Sequence, residues 1–168
     1  MSRLLIFLIP AFAIAVLGCK SESKPTVFEN LDSKHTHDHP HTRDKMMLAD
    51  IGKYHVGMTA HLLKMEGNEL DIIFETMDEK PLPLPLTKVT AKATRTGEEK
   101  TYDLEFEPAP KEERKDDPEG KCSRFTAKAP WIKHEDKLTV TVSAMIDGKE
   151  SRGVFVDFNP KSFAHVDK

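Results

Sequence analysis

Between positions 35 and 41 the chain reads His35-Thr36-His37-Asp38-His39-Pro40-His41, four imidazoles at every second position with a carboxylate among them. In an extended chain alternate side chains share a face. Neighbouring histidines then stand about 7 Å apart and can turn inward around one ion with little chain closure. Imidazole nitrogen suits Zn, Cu, Ni and Co, and an Asp oxygen completes a borderline site, so the ligand set favours transition metals over Ca or Mg. Half of the eight histidines in the chain fall within these seven residues, which sets the run apart from an incidental polar spacer. The expected ligands are His35, His37, Asp38, His39 and His41. The segment around them, from Lys20 to about Asp44, is polar and without helical or strand periodicity, and reads as a flexible arm. Ordering such an arm on binding lowers affinity and favours exchange, so the ion is expected to be exchangeable and not required for folding. Protonation of imidazole near pH 6.5 predicts weaker binding as the surroundings acidify.

Other soft or titratable groups stand further along. Met46 and Met47 follow the run, and thioethers are ligands for Cu(I), although such a pair more often begins a core. His55 and His61 fall on the outward face of the same strand, about 20 Å apart, too far to share one ion. Each can meet a neighbouring strand or the arm folded back over the sheet; a solvated or hydrogen-bonded surface histidine is the commoner case. Cys122 lies between Lys121 and Arg124, which would lower its pKa if it were exposed. It is either a soft ligand or redox-sensitive thiol, or a small half-buried residue. His134 and His165 carry no motif. A search for nucleophile elbows, phosphate-cradling glycine loops, HExxH and paired cysteines finds none, so an enzyme is not expected.

These groups must be carried by something. Behind Arg3 runs an apolar stretch from Leu4 to Gly18, too short to span a bilayer and therefore read as an export signal. It closes on Val16-Leu17-Gly18-Cys19, which resembles the lipobox of bacterial lipoproteins. That resemblance implies cleavage before Cys19, lipidation of its thiol, and attachment to a membrane of the bacterial envelope. Lys20 in the next position favours the periplasmic face of the outer membrane. Several acyl chains would anchor durably, each buried CH₂ contributing roughly 0.8 kcal/mol. Removing 18 of 168 residues leaves 150, enough for one domain and a tether. The formal net charge is −3 with both signs interspersed, which excludes a nucleic-acid footprint. With Cys19 lipidated, Cys122 has no partner, so disulfides do not staple the fold.

Beyond Met47 the pattern changes to short runs of period-two alternation separated by Gly, Pro, Asp or Lys-rich turns, the signature of an all-β sandwich. Tyr54, Val56, Met58, Ala60 and Leu62 share one face of the first run. Leu70, Ile72 and Phe74 follow, with Ile73 the one apolar residue on the outer side. Pro81 to Pro85 is an edge or crossover segment. Val89, Ala91 and Ala93, then Tyr102, Leu104 and Phe106, form a hairpin, and Pro108 to Gly120 is a long surface loop. Phe125 and Ala127 resume a strand. Leu138 to Ile146 is the cleanest alternation, Asp147-Gly148 a tight turn, and Val154, Val156 and Phe158 the final strand. Trp131 is expected to plug one end by packing. The expected organisation is a signal peptide over 1–18, a His-rich tether over 19–47, an immunoglobulin-like antiparallel β-sandwich of about seven strands over 48–160, and a tail over 161–168.

The order of a lipobox, a His-rich leader, Gly52-Lys53-Tyr54-His55-Val56, Lys80-Pro81, Gly120-Lys121-Cys122-Ser123-Arg124-Phe125 and Ile146-Asp147-Gly148-Lys149 resembles small bacterial secreted proteins and lipoproteins. Similar domains occur beside, or joined to, periplasmic adaptor proteins of heavy-metal efflux pumps. The likeness covers residues 35 to 157 and implies a metal-efflux adaptor or pump as partner. Where that family has a small Ser-like residue this chain has Cys122. The rival expectation is a non-catalytic structural or interaction lipoprotein whose His run is only a spacer.

Overall fold

The computed structural model describes residues 42–165, apart from 44, 63–66 and 115. Twelve strands form in chain order: β1 (Thr42–Arg43), β2 (Met46–Ile51), β3 (Tyr54–His61), β4 (Glu69–Glu75), β5 (Leu84–Pro85), β6 (Val89–Arg95), β7 (Thr101–Pro108), β8 (Lys121–Cys122), β9 (Arg124–Lys128), β10 (Leu138–Ile146), β11 (Lys149–Phe158) and β12 (Ala164–His165). Among the described residues the one helical element is a single 3₁₀ turn, Lys111–Glu113. No helix among them is long and apolar enough to cross a membrane.

Eight longer strands follow one another in the order β2-β3-β4-β9-β7-β6-β10-β11, every neighbouring pair antiparallel. β7 pairs with β6 along most of its length and passes to β9 only at Glu107 and Pro108, joining two walls. At the other end of the order β11 runs against β2. A Cβ placed on Gly153 would lie 2.9 Å from Val56 Cγ1 and 3.1 Å from the Asp50 carbonyl oxygen, so only glycine admits this approach. The arrangement is thus all-β, antiparallel and barrel-like with eight strands. It places β2, β3 and β4 side by side, whereas the ABED/CFG order of an immunoglobulin domain sends the third strand to the opposite sheet.

Burial of the inward faces holds the walls together. Val56, Met58 and Ala60 of β3, Leu70, Ile72 and Phe74 of β4, and Leu138, Val140 and Val142 of β10 are all buried. The Phe74 and Phe125 rings meet edge to face at 5.8 Å. The turns have the expected chemistry: Asp147 and Gly148 adopt φ of 52° and 77°, the paired positive values of a type I′ hairpin, between Ile146 and Lys149. Lys53, in the β2–β3 turn, pairs with Asp147 at 3.0 Å, and Tyr54 Oη donates to the same carboxylate, so the two hairpin tips are tied.

Three expectations are corrected. The folded part begins before position 48: Met46–Ile51 is a strand of the barrel and Thr42–Arg43 pairs with it. Its leading apolar residues do not alternate because both of its faces are covered there. Second, the chain beyond 160 is not merely a tail. β12 pairs in parallel with β3 at Ala60 and His61, and the Phe163 ring stacks on Phe158 at 5.4 Å. Third, in β11 the buried residues are Phe155 and Phe158, while Val154 and Val156 are exposed. Three consecutive apolar residues, 154–156, leave the inward parity undetermined in the sequence. The ladder settles it by pairing Val140 with Phe155, and a bulge at Asp157 (φ 56°) returns Phe158 to the core.

The remaining connections are packed as well. Pro81–Pro85 forms a bridge to Glu75 and the short β5 ladder with β8, with Leu84 buried. The loop after β7 is pinned by Arg114, which donates to the Ala109 and Lys121 carbonyls, and by Asp117, which accepts from the Ser123 amide. Trp131 stacks on Tyr102 at 3.9 Å, and Arg95 braces the pair by donating to the Trp131 carbonyl, Tyr102 Oη and Asp136.

Candidate functional site

Cys19 and the expected ligands His35, His37, Asp38, His39 and His41 lie outside the described residues. The structure does fix where this arm joins the barrel. His41 is bonded to Thr42, Thr42 is paired with Met47, and Arg43 with Met46. A turn at Lys45 (φ 62°) reverses the chain into β2.

The two methionines separate. Adjacent strand residues point to opposite faces. Met47 packs against the core, while Met46 is buried on the outer side, its thioether filling the space over Gly57: a Cβ there would come within 2.1 Å of Sδ. They serve packing and do not face one another. Cys122 is fully buried and its thiol donates to the Arg124 carbonyl. Burial pushes the thiol pKa up, opposite to the lowering that its cationic neighbours would give in solvent. It therefore reads as a structural residue.

The outer face of β3 carries the unexpected chemistry. Tertiary register aligns Asp50 of β2, His55 of β3 and Glu75 of β4 in one cross-strand row. His55 is buried at 4% exposure and Glu75 at 6%, whereas the Asp50 side chain is about half exposed, at 49%. His55 Nε2 stands 3.3 Å from Asp50 Oδ1. At the far end of the strand His61 Nε2 lies 3.2 Å from Asp71 Oδ2. Arg124 of β9 donates to that same oxygen through Nε and Nη2, and its Nη1 pairs with Glu113 at 3.1 Å. Burial alone would raise the Asp71 pKa, but hydrogen bonds from His61, Arg124 and Thr126 and the Arg124 charge outweigh it and hold the carboxyl at about 2. His55 and His61 thus each bridge to a carboxylate on an adjacent strand, at opposite ends of β3. His134 is exposed on a loop.

No sequence pattern singles out Asp50, Glu75, Asp71 or Arg124. The signal available is Ile73, an apolar residue on the side of β4 assigned to solvent. Among the described residues no three His, Cys, Asp or Glu side chains are grouped so as to hold an ion. Comparison of the chain with protein-family models, with curated proteins and with solved structures gives no match.

Proposed function

We propose that this chain is a lipid-anchored protein of the bacterial envelope that takes up exchangeable transition-metal ions, Cu, Zn, Ni or Co, on its His-rich arm. The barrel serves as a rigid platform, and Cys19 carries the lipid that holds the molecule at the periplasmic face of the outer membrane. One observation carries the reading: four imidazoles at alternate positions end at His41, one bond from a strand of the barrel. A contiguous ligand set joined directly to a separately folded body can capture and release ions while the body stays folded. A role beside a metal-efflux adaptor or pump follows from the resemblance in motif order and from nothing else. No catalytic role is assigned.

Calorimetric titration of the full-length chain with Cu, Zn, Ni and Co, beside a variant with His35, His37, His39 and His41 all changed to Ala, tests this. Uptake by the parent and none by the variant is expected. Equal uptake by both, or none by either, refutes it and leaves the His run as a spacer on an interaction protein.

A further inference from the structure

We draw no further inference here: the strongest candidate, the cross-strand row of Asp50, His55 and Glu75 on the outer face of β3, does not group its side chains so as to hold an ion among the described residues, and nothing in the structure shows what ligand or partner would complete it.

Discussion

Replacing Asp71 by asparagine removes the carboxylate that His61 and Arg124 both address. Its folded-state pKa of about 2 lies below the ordinary 3.8. At about 1.36 kcal/mol per unit, the difference corresponds to roughly 2 kcal/mol. The sign follows from the depression: this stability is fully present from about pH 5 upward, declines as pH falls through the unfolded value of 3.8, and is lost once pH passes the folded value of about 2. Breaking a buried ion pair typically costs more, about 3–5 kcal/mol. Here the smaller figure is the better guide, because Arg124 retains Glu113 and part of its hydration. For a folded body of this size about 2 kcal/mol corresponds to a fall of roughly 6–12 °C in Tm. Thermal melts followed by circular dichroism at pH 7, 5, 4 and 3 measure both parts. The Asp71→Asn variant should melt lower at pH 7 and should lose less further stability on acidification than the parent. Equal melting at pH 7, with parallel acid slopes, refutes the assignment of this network as a stabilising contact.

Gly153→Val forces a side chain against Val56 and the Asp50 carbonyl where β11 closes on β2, and should destabilise by about 1–3 kcal/mol, read as a lowered urea midpoint. Cys122 should resist an excess of a soluble thiol reagent in the native state and react fully after denaturation; rapid native labelling would contradict its burial.

How far these features are visible in the sequence depends on how many faces of a strand are covered. β10 is legible because one side packs inward and the other meets solvent, so Leu138, Val140 and Val142 alternate cleanly with Thr139 and Thr141. Asp147-Gly148 is legible because only a two-residue turn with positive φ joins such strands so tightly. β2 is obscured by Met46, which covers the outer side of Gly57, so that apolar residues stand consecutively. Likewise Asp71 looks like an ordinary solvent-facing carboxylate between Leu70 and Ile72; its burial depends on Arg124, 53 positions away, and no local pattern reports that partner. Eight strands rather than seven, and their barrel-like order, follow from pairings between segments distant in the chain. The histidines expected as ligands, by contrast, stand within seven consecutive residues, so composition alone suffices to propose them.

The parallel pairing of β12 with β3 has a consequence for how copies of this molecule tolerate crowding. Where β2 stops, the backbone amides and carbonyls of Ala60 and His61 would form an open ladder, and the Ala60 amide instead donates to the Phe163 carbonyl at 3.0 Å. An open ladder is what a neighbouring chain adds to when sheets grow from molecule to molecule. Here the gap is filled from within, so neighbouring molecules cannot zip together through this rim.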